Sequence, residues 1–165
     1  MKQGFTLIEL LVVIAIIGIL SLGIFTQLES ARTQARAARA VQMFQQIEKA
    51  IQVEYASVAR YPRENEMPGD DINTIINNGY LSGLSPNVDY KIDGKDVRYD
   101  NDGDSREECS GVTTAGASLY VEMSDELKTA IENLVDGGDG ENCGKIRSFN
   151  SILLYRLQND PSKFP

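Results

Sequence analysis

The chain has 165 residues, which is enough for one domain or for one domain with an appendage. Its formal net charge of −8 argues against a nucleic-acid partner, because nucleic-acid binding requires a basic face. The sequence contains no histidine, so it lacks the most common general base and the most common transition-metal ligand, which disfavours hydrolytic and zinc chemistry.

An almost wholly apolar segment occupies residues 5–25. About 20 apolar residues span ~30 Å as a helix, which is the thickness of the hydrocarbon core of a bilayer. A secretory signal peptide is the competing interpretation, but its apolar region is shorter and is followed by a small-x-small cleavage site. Here a helix-forming sequence follows directly. We therefore predict one continuous helix over residues 5–59 that stays in the mature protein.

Glu9 is the one charged residue inside this apolar segment. A carboxylate in lipid is costly unless it has a partner, so acids in this position are functional candidates. The nearest cation would be a free amine at Phe5, created by a cut after Gly4. Amine and carboxylate lie one turn apart within one helix. Between neighbouring helices, the same pair would fix the axial register.

The run from Gly4 to Glu9, Gly-Phe-Thr-Leu-Ile-Glu, followed by the apolar segment, resembles the class III signal of type IV prepilins and type II secretion pseudopilins. This resemblance implies that prepilin peptidase cuts between Gly4 and Phe5 and that the new amino terminus is methylated. It divides the chain into a leader, a transmembrane and filament-core half-helix, an amphipathic half-helix and a globular head with a sheet and an acidic loop: residues 1–4, 5–26, 27–60 and 61–165.

The resemblance implies a structural role and no enzymatic activity. The precursor is expected in the bacterial cytoplasmic (inner) membrane as a single-pass protein with an extracytoplasmic head. It then enters a type IV pilus or a periplasmic type II secretion pseudopilus, and the residues are consistent with either. The implied partners are prepilin peptidase, an inner-membrane assembly platform with its ATPase, membrane lipid, and identical or homologous subunits.

Two other hypotheses compete with the filament subunit. One is a membrane-anchored calcium- or ligand-binding module that does not polymerise. Such a module needs neither the Gly4-Phe5 junction nor Glu9. The other is an anchored hydrolase, which the missing histidine and the lack of a nucleophile motif disfavour.

The sequence departs from the family pattern in two ways. Thr26 stands where many members have a proline that kinks the helix. Arg32, Arg36 and Arg39 follow the apolar segment closely, so the positive-inside rule alone does not place the amino terminus in the cytoplasm. The orientation therefore rests on the resemblance. These arginines either meet acidic groups of a neighbouring subunit or form a solvated basic face.

The second half of the predicted helix carries one apolar stripe, with steps of three and four residues, suited to lie on a sheet. The stripe consists of Val41, Phe44, Ile47, Ile51, Tyr55 and Val58. We assign the polar residues between them to the other faces of the helix: Gln42, Gln45, Gln46, Glu48, Lys49 and Gln52.

The rest of the chain predicts a small antiparallel sheet with two short helices, which gives an α+β, pilin-like fold. A helix over residues 72–76 is capped by Asp70 or Asp71. A hairpin turns at Asp93-Gly94, and a further helix opens at Ser124. An apolar run over 152–157 forms a last, central strand. The apolar residues predicted to pack in the hairpin, in the next strand and in the helix after Ser124 are Val88, Tyr90, Ile92, Val97, Tyr99, Ala117, Leu119, Val121, Leu127, Ile131, Leu134 and Val135.

Asp100, Asp102 and Asp104 alternate in an acidic loop, a spacing that lets carboxylates converge on a hard cation such as Ca²⁺. The loop is not an EF-hand, because Ser105 and Gly111 replace the turn glycine and the bidentate glutamate. The family resemblance implies a calcium site in this part of the head. A solvated acidic turn is the simpler interpretation of the same residues.

The two cysteines, Cys109 and Cys143, lie in the polar part of the chain. If this part is exported, we expect them to form one disulfide, closing a loop of about 35 residues and contributing ~3–4 kcal/mol. The alternative is two unrelated free thiols. The bridge would bring the acidic loop close to a second acidic stretch at residues 136–141.

Overall fold

The computed structural model describes residues 5–62, 70–101, 117–137 and 145–157, without the side chains of residues 22–26 and 149. A long N-terminal helix packs on a small antiparallel sheet, so the α+β prediction is confirmed. The helices are α1 (Leu7–Val58), α2 (Ile72–Asn77) and α3 (Asp125–Val135). The strands are β1 (Asp70–Asp71), β2 (Lys91–Ile92), β3 (Lys95–Asp96), β4 (Arg98–Asp100), β5 (Ser118–Glu122), β6 (Ile146–Phe149) and β7 (Ile152–Arg156).

Helix α1 runs without a break for 52 residues, which corresponds to about 78 Å. It ends at Ala59, which adopts a left-handed conformation (φ 54°) and donates its amide hydrogen to the carbonyl of Tyr55 at 2.8 Å. Among the α1 side chains that the structure describes, the first buried one is Ala37. The helix therefore projects from the head over its first 30 residues or so, about 45 Å.

The five-stranded sheet has the order β1-β4-β5-β7-β6, and every neighbouring pair is antiparallel. One row of paired residues crosses all five strands and is buried throughout: Asp70, Tyr99, Leu119, Tyr155 and Ile146. The predicted strands over β5 and β7 are confirmed. Strand β6 was not predicted, because its four residues offer too short an alternation to be recognised.

The face of α1 that meets this row is the predicted stripe. Phe44, Ile47 and Ile51 are at most 1% exposed, and Phe44 stacks on Tyr155 with 5.0 Å between the ring centroids. The assignment of Glu48 to a polar face was wrong, because its side chain is only 7% exposed. Glu48 lies four residues after Phe44, so the helical period puts both on the buried face.

The helix cap and the hairpin turn that were predicted for the head are confirmed. Asp71 rather than Asp70 caps α2, since its Oδ1 accepts the backbone amide of Asn73 at 2.9 Å. At the β2–β3 turn, Asp93 and Gly94 both have positive φ, 50° and 78°, as the tight hairpin turn requires.

Some predicted core and hairpin residues were placed wrongly. Val58, Val88 and Leu134 are 46, 45 and 55% exposed: Val58 and Leu134 lie in the last turns of α1 and α3, and Val88 lies outside the strands, before β2. Tyr99 was expected in the hairpin but belongs to β4 of the main sheet.

Glu48 forms the polar centre of the contact between α1 and the sheet. Its carboxylate accepts hydrogen bonds from Lys145 Nζ at 2.9 and 2.7 Å and from the hydroxyl of Tyr155 at 2.9 Å. The Lys145 ammonium also lies 4.8 Å from the centroid of the Tyr155 ring. A buried carboxylate is tolerated only when it is paired in this way. This cluster, the Glu48 clamp, fixes the rotation of α1 on the head.

Both donors of the Glu48 clamp have altered acidities. Burial is the largest influence on Lys145 and acts to lower its pKa, but the hydrogen bonds and charges of Glu48 and Tyr155 together raise it above 10.5. Burial also raises the pKa of Tyr155 above 10.0. In both cases the fold favours the protonated form.

Helix α3 is fastened to the β6–β7 hairpin at both ends. The buried Lys128 donates to the carbonyl of Asn150 in the hairpin turn and pairs with Asp125 at 2.6 Å. At the other end, Asp136 Oδ2 accepts the amide of Ile146 at 2.6 Å. These contacts hold the first turn of α3 beside α1.

We predict that Phe44→Ala lowers the free energy of unfolding of the head by about 3–4 kcal/mol, because it removes a fully buried ring and its stacking on Tyr155. Urea unfolding in mild detergent, followed by near-ultraviolet circular dichroism, measures the change. Val53→Ala is the control, since Val53 lies on the same helix and is 59% exposed. Equal losses from the two substitutions would contradict the assignment of the buried face.

Removing the Glu48 carboxylate should also destabilise the head. We expect Glu48→Ala to cost about 2–3 kcal/mol, less than for a fully buried pair because the Lys145 side chain is 36% exposed. Lys49→Ala, one residue further on the exposed face, is the matched control and should cost under ~0.5 kcal/mol.

The same clamp predicts a pH dependence. Because the folded pKa values of Lys145 and Tyr155 are raised, their stabilising effect is complete below about pH 10 and is lost as the pH rises through those values. The unfolding midpoint of the wild type should fall as the pH rises above about 10, more steeply than that of Glu48→Ala. Parallel alkaline slopes in the two proteins would show that the clamp does not contribute.

Candidate functional site

The amino-terminal end of α1 is closed by a capping box formed by Thr6 and Glu9. Glu9 Oε2 accepts the backbone amide of Thr6 at 2.9 Å and its hydroxyl at 2.7 Å. In return, Thr6 Oγ1 accepts the amide of Glu9 at 3.4 Å. The capping role of Thr6 was not predicted, although a threonine three residues before a glutamate at a helix start is the signature of this motif.

The capping box determines where the carboxylate lies. Glu9 bends back toward the start of the helix, to the backbone of the residue that follows Phe5. Phe5 itself is 83% exposed. The Glu9 carboxylate therefore lies at the residue that follows Phe5, and the assembly role of Phe5 and Glu9 stays a prediction. Gly4, the other half of the predicted cleavage junction, lies outside the described residues.

The projecting part of α1 presents a continuous apolar surface. The large apolar side chains among residues 5–20 are between 47 and 84% exposed in the isolated chain: Phe5, Leu7, Ile8, Leu10, Leu11, Val12, Val13, Ile14, Ile16, Ile17, Ile19 and Leu20. Exposed apolar surface of this extent marks a region that contacts a membrane or another protein. Among the residues that the structure describes, no helix has an apolar stretch sufficient to span a bilayer, so the transmembrane half-helix over residues 5–26 stays a prediction.

The three arginines that follow this surface are all exposed. Arg36 pairs with Asp93 in the β2–β3 turn, with 3.7 Å between Nη1 and Oδ2. Arg36 of the basic face is thus paired within the chain, with the turn of the β2–β3 hairpin.

Most of the predicted calcium and disulfide residues lie outside the described part of the chain. Asp100 is described, as the last residue of β4 opposite Ser118. Asp102, Asp104, Cys109 and Cys143 are not, so the calcium site and the disulfide stay predictions. Among the described residues, no group of three or more potential ligands is placed to hold a metal ion.

The described residues that flank the two cysteine-containing segments share one end of the sheet. Asp100, Ser118 and Arg156 are paired across three strands, and the amide of Arg156 donates to the carbonyl of Lys145 at 2.8 Å. The described residues next to both cysteine-containing segments thus lie at one end of the sheet, and the disulfide itself stays a prediction.

The Glu48 clamp is the other polar cluster that the sequence analysis missed. The burial of Glu48 could have been predicted from the sequence, because Glu48 follows Phe44 by four residues and precedes Ile51 by three and therefore lies within the apolar stripe. The partners Lys145 and Tyr155 lie about 100 residues further along the chain, and nothing local to either residue indicates the contact.

Comparison with known proteins gives one finding, at the amino terminus. The family model of the prokaryotic N-terminal methylation motif matches residues 1–25. The comparisons with curated proteins and with solved structures gave no match. The matched segment contains Gly4, Phe5 and Glu9 and the first part of the apolar surface. The chain therefore carries a prokaryotic N-terminal methylation motif, which supports the predicted class III signal of type IV pilins and pseudopilins.

Proposed function

We propose that the chain is a structural subunit of an extracytoplasmic helical filament, a type IV pilus or a type II secretion pseudopilus. The observation that carries this proposal is the capping box within the matched methylation motif, which holds the Glu9 carboxylate beside Phe5. A plain membrane anchor requires neither this acid nor the junction before Phe5. The role proposed is mechanical rather than catalytic.

In the proposed precursor, residues 5–25 cross the cytoplasmic membrane and the head lies on the extracytoplasmic side. The lipid removes from water the apolar side chains that are exposed in the isolated chain. Prepilin peptidase cuts after Gly4, and the new amino group of Phe5 is methylated. The subunit then waits in the membrane for an assembly platform and its ATPase.

In the proposed filament, the apolar halves of α1 from many subunits pack together and exchange lipid contacts for helix contacts. Each Glu9 carboxylate then pairs with the Phe5 amine of a neighbouring subunit. An unpaired carboxylate in an apolar bundle is strongly disfavoured, so only axial positions that satisfy the pair are stable. The rigid connection of α1 to the head through Phe44 and the Glu48 clamp carries this register out to the filament surface.

We predict that Gly4→Ala blocks processing, because a side chain at the residue before the cut has to fit the peptidase where only a hydrogen was present. Expression with prepilin peptidase, followed by intact-mass measurement, distinguishes the uncut chain from one that begins at Phe5. Gly18→Ala is the control, because a Cβ at Gly18 meets no atom within 4 Å. Normal maturation of Gly4→Ala would refute the assigned cleavage.

The capping box allows the charge of Glu9 to be separated from its role at the helix start. Gln at position 9 still accepts the Thr6 hydrogen bonds but carries no charge, whereas Thr6→Val removes the hydroxyl and keeps the acid. We expect Glu9→Gln to insert normally and to reduce filament yield at least about tenfold, with Thr6→Val reducing it less than about threefold.

Filament yield is measured by shearing and sedimentation, and membrane insertion by carbonate extraction. If Glu9→Gln assembles like the wild type while Thr6→Val does not, the acid serves only to cap the helix. The proposed register contact between subunits would then be wrong.

A further inference from the structure

A cavity of about 600 Å³ lies where the first turn of α3 meets the projecting part of α1. Its size is within the range of about 300–1,000 Å³ that is typical of small-molecule sites. It is lined by Glu29, Ser30, Arg32, Thr33, Arg36 and Glu126. Two carboxylates and two guanidinium groups therefore face the same space, with hydroxyl groups between them, and their formal charges cancel.

Within the described residues, the opposite charges that line the cavity do not form ion pairs with one another. Elsewhere on the head, neighbouring charges pair directly, as Lys95 does with Glu122 at 3.2 Å. In the cavity, Arg36 is turned to Asp93, and within the described part of the chain Glu29, Arg32 and Glu126 form no ion pair with each other. Separated charges of both signs, with hydrogen-bonding groups around them, are complementary to a ligand that carries both a cation and an anion.

The position of the cavity along the axis of α1 indicates which class of ligand it binds. The apolar segment ends at Phe25, and at 1.5 Å per residue Glu29 and Arg32 lie about 6 and 10 Å further along the axis. The headgroup layer of a bilayer extends about 5–8 Å beyond the hydrocarbon core. Side chains on a helix lean toward its amino terminus, so the long Arg32 side chain reaches back into that layer.

We propose that this cavity binds the headgroup of a zwitterionic phospholipid with a primary ammonium group, as in phosphatidylethanolamine. Arg32 contacts the phosphate, while Glu29 and Glu126 accept hydrogen bonds from the ammonium. Arg36 stays paired with Asp93. The inference rests on the membrane-inserted precursor of the proposed function. Such a contact would hold the head of the stored subunit against the membrane surface until the subunit is extracted.

The charge balance of the cavity disfavours the other common lipids. An anionic headgroup such as that of phosphatidylglycerol offers no cation to the two carboxylates. Phosphatidylcholine has a cation but no N–H to donate. The site should therefore discriminate among these phospholipids by the ammonium group, since all of them carry the phosphate.

The test uses the full-length chain in nanodiscs made from equal parts of phosphatidylethanolamine, phosphatidylglycerol and phosphatidylcholine with identical acyl chains. After release into mild detergent, native mass spectrometry identifies the lipids that remain bound. The wild type should retain phosphatidylethanolamine about three- to tenfold over either other lipid, as expected for two partly exposed ion pairs.

Variants assign the preference to the cavity. Combined Glu29→Gln and Glu126→Gln should abolish the preference over phosphatidylcholine and increase the retention of phosphatidylglycerol. Arg32→Gln should lower the retention of both phosphatidylethanolamine and phosphatidylglycerol. Arg39→Gln and Glu132→Gln, on the same two helices but not lining the cavity, should behave like the wild type.

Three results would overturn the inference. The first is equal retention of the three lipids by the wild type. The second is a full preference in the double glutamine variant. In the third, cavity variants would retain lipid normally but fail to form filaments, which would assign the cavity to contact with a second copy. A chain that does not enter nanodiscs at all would instead contradict the proposed membrane-inserted precursor.

Discussion

The structure depends on how one long helix satisfies its carboxylates in two apolar surroundings. At its start, Glu9 stands among exposed apolar side chains and is held by the two donors of Thr6. In its second half, Glu48 is buried against the sheet and is held by Lys145 and Tyr155. Burying a carboxylate without donors costs several kcal/mol, so each acid restricts the arrangements that its half of the helix can adopt.

The two carboxylates differ in whether their partners are already supplied within the chain. Glu48 takes an ammonium and a hydroxyl from the head, so the contact between helix and sheet is complete in one subunit. Within the described residues, Glu9 takes uncharged donors from Thr6. In the proposed function, processing creates a free amine at Phe5, next to this acid. Cleavage would then convert a helix cap into a charged pair that neighbouring helices can share.

Much of the fold follows from the sequence where the signal is local. The long helix, the Asp93-Gly94 turn and the strand around Leu119 all depend on spacings within a few residues. What escaped prediction depends on distant partners or on too few residues. Glu48 was assigned to solvent because a glutamate on a helix is usually solvated, and the donors that allow its burial lie about 100 residues away. Strand β6 has four residues and one strand neighbour, so its alternation is too short to recognise.

The candidate site shows the same division. Gly4, Phe5 and Glu9 were predicted from a motif that occupies consecutive positions, and the family match covers those positions. Thr6 was overlooked although its signal is equally local, because the acid had been interpreted only as a partner for an amine. The cavity beside Glu29 and Arg32 had no such signal, since Glu126 reaches it only through the packing of α3 on α1.

The position of the head along α1 links these features. The first buried residue described on the helix is Ala37, about 18 Å beyond the end of the apolar segment. The stretch between them carries Glu29, Arg32 and Arg36, which are too polar for lipid and are exposed in the structure. In a membrane-stored subunit this stretch is the part of the helix that meets the headgroup layer. A mixture of both charges on that stretch is compatible with a neutral, zwitterionic surface, whereas a purely basic stretch would favour anionic lipid and would resist extraction more strongly.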